Sequence, residues 1–517
     1  MRDRGRIAVF AALAIVAIVL VRTAWVCDDA YITFRTVDNL IHGFGARWNV
    51  AERVQSYTHP LWMLVLAAIE LVTREPYFTS IVLSLACSLV AVTLLAFRLA
   101  RSGWQAAIAL LVLASAKSFV DFSSSGLDNA LSHALIAWYL VLLARPRSAG
   151  MTWQPIAIAS LLIVNRQDLA LLIGPSAIAY LVAHRSERFW RTLALGAAPI
   201  IAWELFSLVY YGFLVPNTAF AKMHTGIPEG ELFAQGVRYL QESLLHDPLT
   251  LTAIAWSIVA GAMGATPARM VALGQCLYLG YTVWVGGDFM SGRFLTAPLF
   301  VGVAQLASIA VALPRPARMG LIAATLVLGL LATSPTLLSD GTFGRGKAYE
   351  EFHGVTDERL YYYPRTGLLR SGRAFTPPDL IDADLVHQML AAGQRIATRE
   401  MVGMFGFAAG PDLYVVDRFS LGEPLTARLP VTDPWRIGHF QRALPDGLIQ
   451  TLRTGTNQFT DPGLAAYYDA LSLITRGPLL SGRRVRAILA MNLGRDDHLL
   501  DAYRAGVREP RPPGAGR

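Results

Sequence analysis

Charged side chains are scarce in this chain: Asp, Glu, Lys and Arg make up 16% of its 517 residues, where an average soluble domain carries about 25%. With 54% hydrophobic residues and a mean hydropathy of +0.42, such a chain cannot clothe itself in water-compatible surface, which excludes an ordinary soluble protein. Cysteine is scarcer still. Cys27, Cys87 and Cys276 are the whole supply, the last two within apolar runs, so neither a disulfide framework nor a zinc cluster can be built. No Walker-type phosphate loop, dinucleotide fingerprint, HExxH or Gly-x-Ser-x-Gly elbow occurs in a suitable context, which sets nucleotide-dependent chemistry aside. Long apolar runs are also missing after residue 335, although they recur before it.

What is present is a polytopic α-helical membrane protein. Roughly twelve apolar runs, near 7–26, 57–73, 77–97, 105–120, 128–144, 152–166, 168–184, 192–213, 248–265, 270–286, 294–313 and 319–335, approach the ~20 residues that cross a bilayer. The formal net charge of +8 does not point to nucleic acid, because many arginines sit in short loops between these runs and read as topology signals. Arg185, Arg188, Arg191, Arg269, Arg315 and Arg318 alternate with the loops 214–247 and 287–293, assigning those loops and the tail to the exterior. With the amino terminus inside, the crossings are odd in number, so about eleven is expected and one piece does not cross. The short pieces 57–73 and 152–184 are the suspects, since broken helices need protein or a water-filled cavity around their free backbone groups. The run 7–26 reads as an uncleaved first helix rather than a secretory signal, being long for one and ending in Val26. The chain thus divides into a membrane part, 1–335, and a soluble C-terminal domain of α/β type, 336–517.

The polar residues that interrupt this pattern cluster at the expected exterior face. Asp28 and Asp29 follow the first run directly, where ionised groups are costly unless solvated or used. They read either as a solvated helix-end pair or as a base, nucleophile or metal ligand. The exterior loop they open, 27–60, holds an amphipathic run, Ala30 to Ile41, expected as an interfacial helix with Trp25, Tyr31 and Trp48 as headgroup-level anchors. A second island, Gly286 to Arg293, places three glycines around Asp288 and Arg293 and so predicts a tight turn. Those two residues either pair with each other or act, Arg293 on a phosphate and Asp288 on a sugar hydroxyl or metal. A third, 215–224, carries Asn217, Lys222 and His224, with Lys222 a point charge for a phosphate. Asp121, Asp128, Asn165, Arg166 and Asp168 lie at ends of short runs on the same face, if 57–73 does not cross.

Cys-Asp-Asp-Ala-Tyr-Ile-Thr-Phe-Arg at 27–35, Tyr-Thr-His-Pro-Leu-Trp at 57–62, Pro-Asn-Thr-Ala-Phe-Ala-Lys at 216–222 and Gly-Gly-Asp-Phe-Met-Ser-Gly-Arg-Phe at 286–294 resemble polyprenyl-phosphate-dependent glycosyltransferases of the GT-C superfamily. Within it the chain is most similar to actinobacterial terminal β-(1→2) arabinofuranosyltransferases of cell-wall arabinan synthesis. Asp417 to Leu421 and Gly438 to Arg442 support that placement. The resemblance implies a GT-C-like enzyme of the plasma membrane with its site and tail facing the periplasm. It implies decaprenyl-phosphoryl-arabinose as donor and the arabinan of arabinogalactan or lipoarabinomannan as acceptor, joined in a terminal β-(1→2) linkage with retention. Asp28 and Asp29 become the catalytic candidates, Arg293, Lys222 and Arg35 the donor-phosphate ligands, and Asp288, His59, Tyr57, Asn217 and His224 the sugar or acceptor contacts. No cofactor is required by the motifs, although a divalent cation (Mg, Mn or Ca) bridged by Asp28 or Asp29 is one source of the positive charge a departing phosphate needs.

Tyr361, Tyr362, Tyr363, Trp435, Tyr467 and Tyr468 give the tail aromatic faces for an acceptor sugar, against a plain packing role, and 509–517 is Pro/Gly/Arg-rich enough to read as disordered. Two other readings stay open: a polyprenyl-phosphate-dependent transferase of another sugar such as mannose, and a transporter or flippase for a lipid-linked substrate. A transporter places polar residues near the midplane on broken helices, whereas these islands gather at one face.

Overall fold

A computed structural model describes residues 3–145, 152–184, 189–223, 225–310, 313–339, 351–370 and 376–508. His224, Arg185, Arg188 and the segment 509–517 fall outside them. The described chain is mostly helical. It divides into two compact units, one made of 1–30, 59–201 and 228–379, the other of 31–58, 202–227 and 380–517. This grouping by contacts is a different quantity from the boundary at 335/336, which marks where apolar runs stop.

The first unit is a bundle of apolar helices. Among the described residues three helices are individually long and apolar enough to cross a membrane: Arg4–Arg22, Pro76–Leu99 and Phe189–Tyr210. The helices Glu229–His246 and Pro248–Ala262 pass the same test jointly but meet at a bend of 110°. Pro60–Thr73, Gly103–Ser115, Asn129–Leu143, Gln154–Asn165, Leu169–Ala183 and Arg293–Ser308 are apolar but shorter. Each apolar run of the sequence is met by one helix whose ends are cut within a few residues of the run, but among the described residues fewer helices than the expected eleven are individually long enough to cross. Local chemistry explains the cuts. Pro60, Pro76, Pro155 and Pro248 stand in first turns, where the missing N–H has no helical partner to lose. Glu75 then accepts from the amides of Tyr77 and Phe78, and Ser102 Oγ from the amide of Gln105, which satisfies donors at two of the starts. The core of this unit runs from Val9 and Val16 through Leu110, Ile136, Leu162 and Ile254 to Phe300.

The second unit holds a pair of short parallel strands, Ile396–Arg399 and Tyr414–Asp417, in register Ile396 to Tyr414. Helices Pro462–Arg476 and Gly482–Asn492 pack together around Leu471, Ile474 and Ile488. Buried arginines tie its segments together by donating to backbone carbonyls. Arg484 serves Val209, Tyr210 and Ile474, Arg442 serves Leu429 and Phe440, and Arg35 serves Leu413 and Gly410. The expected amphipathic helix is present as Asp28–Ile41. Its expected aromatic anchors are a correction, because Trp25, Tyr31 and Trp48 are all buried. Arg35 lies 4.4 Å over the Trp48 ring, and Trp25 Nε1 donates 2.7 Å to the Asp121 carbonyl. Packing partners far along the chain claimed these rings. Tyr467 and Tyr468 likewise belong to the core, and Tyr361 stays half exposed.

One buried acid cluster in the second unit titrates in a useful range. Tyr414 Oη lies 2.5 Å from Glu52 Oε1 and 3.2 Å from Glu423 Oε2, with Arg476 3.1 Å from Glu52. Two carboxylates face one guanidinium there. Burial first, and then the charge of Glu52, push Glu423 from its usual 4.5 up to about 8. The folded state therefore holds this proton more tightly than the unfolded chain, so its contribution is complete below about pH 4.5 and is lost as pH rises through about 8. Thermal unfolding followed from about pH 5 to pH 9 should show a falling melting temperature whose slope is flattened in Glu423→Gln. An unchanged slope in that variant would assign the pH dependence elsewhere.

Candidate active site

Four breaks between helices of the first unit supply the charged residues. The first follows Arg4–Arg22, where the chain leaves the helix at Thr23 and starts a new one at Asp28. Acids in a first turn are favoured by the helix dipole, which is the local reason the pair stands there. The second break, after Ser115, holds the short helix Lys117–Asp121 and a serine-rich turn ending at Asp128. The third, Arg166 to Asp168, joins Gln154–Asn165 to Leu169–Ala183, two helices that pack on each other. The fourth is the glycine turn 286–293. Gly286, Gly287 and Gly292 all have positive φ, as its composition predicted. Gly287 also admits no side chain, since a Cβ would lie 2.5 Å from the Tyr239 ring.

These breaks converge on Arg293, which is 7% exposed. Its guanidinium lies 3.6 Å from Asp288, 4.0 Å from Asp29 and 4.0 Å from Asp128. Asp128, wholly buried, also faces His59 Nδ1 at 3.4 Å and Arg166 Nε at 3.8 Å. Arg166 in turn grips Asp168 with two nitrogens, at 3.0 and 2.5 Å, and Tyr278 donates to the same carboxylate at 3.0 Å. Burial disfavours the Arg293 charge, but Asp288, Asp128 and Asp29 outweigh it and raise the group above its ordinary value. The contacts of Arg293 with acids are ion pairs longer than hydrogen bonds. Its Nε, both oxygens of Asp128 and Asp288 Oδ2 make no hydrogen bond to another described residue. Buried polar atoms are normally satisfied, so this set keeps capacity for the hydroxyls and phosphate oxygens of a ligand, or for water.

The wall behind the acidic pair comes from residues 351–368. Thr366 Oγ1 donates 2.6 Å to the Val26 carbonyl, the Leu368 amide 2.8 Å to that of Ala24, and Tyr363 Oη 2.6 Å to that of Arg22. Tyr362 stacks on Trp25 with centroids 6.3 Å apart. Burial and then the charges of Asp28 and Glu358 push its phenol upward. Beside this wall runs a second ionic group: Lys117 lies 2.6 Å from Asp121 and 3.3 Å from Asp357, and Arg359 2.5 Å from Asp121. Burial alone would raise the Asp357 carboxyl, yet Lys117 and Arg359 hold it below its usual value. Lys117, Tyr278, Asp357, Glu358 and Arg359 did not emerge as site residues from sequence, whereas Tyr362 was among the aromatic residues expected to face an acceptor sugar. Only the charged residues amid apolar sequence carried a signal, in Lys117 next to Asp121.

Of the residues singled out from sequence, Asp28, Asp29, His59, Asp288 and Arg293 belong to this unit, and all but Asp28 are joined by the ion pairs above. Tyr57, Arg35, Asn217 and Lys222 belong to the other. Tyr57 pairs with Tyr211 through their hydroxyls at 2.8 Å. Asn217 donates to the carbonyls of Ser420 and Leu421 and accepts from Arg428. Arg35 serves backbone carbonyls and Asn49, and Lys222 is exposed in the last turn of Asn217–Met223. Among the described residues no three of His, Cys, Asp and Glu are grouped as metal ligands, and the cations beside the carboxylates are guanidinium groups.

The chain is 27% identical to the terminal beta-(1->2)-arabinofuranosyltransferase of Mycobacterium tuberculosis over 558 aligned positions, covering 90% of this chain and 88% of that protein. It is also 27% identical to the Corynebacterium glutamicum protein of the same name over 391 positions, covering 65% of this chain and 55% of that one. No family model and no solved structure matches it. The two relatives bear out the resemblance drawn from the sequence motifs, and the chain is a glycosyltransferase.

Breaking a buried ion pair from one side leaves an uncompensated charge, at a cost of about 3–5 kcal/mol. Arg166→Met should therefore lower the melting temperature of the detergent-solubilised protein markedly, and Arg166→Met combined with Asp168→Asn should recover part of the loss. A single variant as stable as the parent would remove Arg166 from the structural account of the cluster.

Proposed function

We propose that this protein is a plasma-membrane arabinofuranosyltransferase of GT-C type, with its charge cluster and tail on the periplasmic side. It takes arabinofuranose from decaprenyl-phosphoryl-arabinose and adds it to non-reducing arabinan ends of arabinogalactan or lipoarabinomannan. The linkage formed is β-(1→2), with the donor's configuration retained. The observation that carries this reading is the contact of Asp29 with Arg293 at 4.0 Å inside a buried cluster. One reactive carboxylate and one fixed cation stand within the length of a sugar phosphate. The names of the two relatives support the sugar and the linkage.

In this mechanism the bond between the anomeric carbon and the phosphate oxygen breaks, and its electron pair leaves with decaprenyl phosphate. Arg293 offsets the charge growing on that phosphate, for which a planar guanidinium with unspent donors is well shaped. The acceptor's 2-hydroxyl oxygen forms the new bond to the anomeric carbon. Its proton passes to a carboxylate of the pair or to the departing phosphate. Retention follows either from Asp28 or Asp29 acting as nucleophile, with two inversions, or from attack on the face the phosphate leaves. Asp128 and Asp288 hold Arg293 in place, and Asp288 Oδ2 and His59 are the nearest groups for sugar hydroxyls. A divalent cation at Asp28 and Asp29 finds no third carboxylate, His or Cys ligand among the described residues, and no step here is routed through one.

Purified protein in detergent, given decaprenyl-phosphoryl-arabinose and a short arabinan acceptor, should yield a product one pentose heavier whose anomeric NMR coupling is that of a β-linked arabinofuranose. Asp29→Asn or Asp28→Asn should lower this transfer at least about a hundredfold without loss of folding. Arg293→Lys, which keeps the charge but not the fork, should lower it by about ten- to a hundredfold. Full turnover by both Asp variants would overturn the mechanism, and transfer from a mannosyl donor alone would overturn the choice of sugar.

A further inference from the structure

We infer that the helix Glu229–His246 lies flat in the outer membrane interface, with one stripe seated among lipid headgroups and acyl ends, and that it thereby fixes the depth of the glycine turn carrying Asp288 and Arg293. The helix begins after Pro228 with Glu229 and Glu231 in its first turn, and it bends by 110° into Pro248–Ala262. That second helix is apolar and turns Trp256 and Val259 outward, as a lipid-facing helix does. If it stands along the membrane normal, Glu229–His246 lies within about 20° of the membrane plane, at the end of an apolar helix, where the interface is.

The faces of the helix divide in three. Gln235, Gly236, Tyr239, Glu242 and Ser243 are buried against the unit. Phe233, Val237 and Leu244 are exposed and fall within about 40° of one another around the axis. Glu231, Arg238 and Gln241 lie about 80–160° further round and are exposed as well, with Ala234 and Leu245 the apolar residues among them. A helix lying in bulk water has no use for an apolar stripe set apart from its packed face, and a helix crossing a bilayer has no room for a charged one. An interface accommodates both.

The buried face leads to the proposed active site. Tyr239 Oη donates to the Met290 carbonyl at 3.2 Å and accepts from the Phe294 amide at 3.1 Å, so it clasps the glycine turn at both ends. Gly236 brings the helix backbone against Val283, where a Cβ would lie 2.1 Å from the carbonyl oxygen. Gln235 donates to the His353 carbonyl at 2.6 Å. A lipid-seated stripe on one side and a clasped turn on the other make the helix a depth gauge for Arg293. The lipid contact stands on geometry alone. Its use, to meet a phosphate held at a fixed height above its polyprenyl chain, rests on the function proposed above.

The test places nitroxide labels on Phe233→Cys, Val237→Cys, Leu244→Cys, Arg238→Cys and Gln241→Cys, one at a time, in the full chain carrying Cys87→Ser and Cys276→Ser. The protein is reconstituted in phosphatidylcholine/phosphatidylglycerol vesicles. Electron paramagnetic resonance should show oxygen accessibility exceeding that of a water-soluble nickel chelate at the first three positions, and the reverse at the last two. Nickel access dominating at all five would put the helix in water and overturn the inference; oxygen dominating at all five would make it one leg of a broken span and overturn it equally. These readings do not depend on activity. For the depth role, Val237→Glu with Leu244→Glu should lower transfer several-fold in vesicles while sparing transfer from a short-chain donor in detergent. Equal loss in both settings would overturn that role.

Discussion

The structure of the first unit depends on ionic groups being kept inside an apolar bundle. A carboxylate taken out of water costs several kcal/mol unless a cation and hydrogen bonds repay it. Asp128, with no exposure at all, is tolerable only because His59, Arg166 and Arg293 surround it. That requirement organises everything near it. Arg166 and Arg293 come from breaks in helices, where the chain turns back into the bundle. The breaks must meet in one place, since each acid needs more than one partner. Arg293 is where three of these requirements coincide, and the catalytic reading follows from its position rather than being added to it.

The second unit solves the opposite problem with the same residue. Its loops are long and irregular, and their carbonyls need donors that regular structure does not supply. Arg35, Arg442 and Arg484 each reach several carbonyls from distant segments, so one side chain closes gaps that strands or helix caps would otherwise close. Arg166 and Arg293 in the first unit are therefore electrostatic partners, whereas Arg35, Arg442 and Arg484 in the second are donors of backbone hydrogen bonds. From sequence alone the two uses look the same, which is why Arg35 stood beside Arg293 as a phosphate ligand.

The membrane character, the acidic pair and the glycine turn were legible because each rests on local chemistry: apolar runs, a like-charged dipeptide beside one, and glycines around Asp288. The break at Arg166 to Asp168 was legible too, as the polar gap between the runs 152–166 and 168–184, but its Asp128 partner, 38 positions earlier than Arg166, was not. The aromatic anchors failed for a related reason. Trp25 and Trp48 have the composition of interfacial residues, but the Asp121 carbonyl that holds the first and the core of Val386, Ala397 and Phe405 that buries the second are invisible to a window of sequence. Glu358 was missed because nothing near it in the chain speaks of sugar or phosphate; Tyr362 was legible as an aromatic face for a sugar, and only the fold brings it beside Asp28 and Glu358.

The clamp on residues 22–27 has a consequence for how the protein is made. Val26 and the Thr366 hydroxyl that grips it are 340 positions apart, and Ala24 and Arg22 are held by the same distant segment. A ribosome delivers the acidic pair to the membrane first and its clamp long afterwards, so the newly made amino-terminal helix waits with its end unsecured until about two thirds of the chain has followed. The acidic pair is thus locked into position only when the bundle is complete. Truncated or stalled chains carry the acidic pair but not the geometry that holds it.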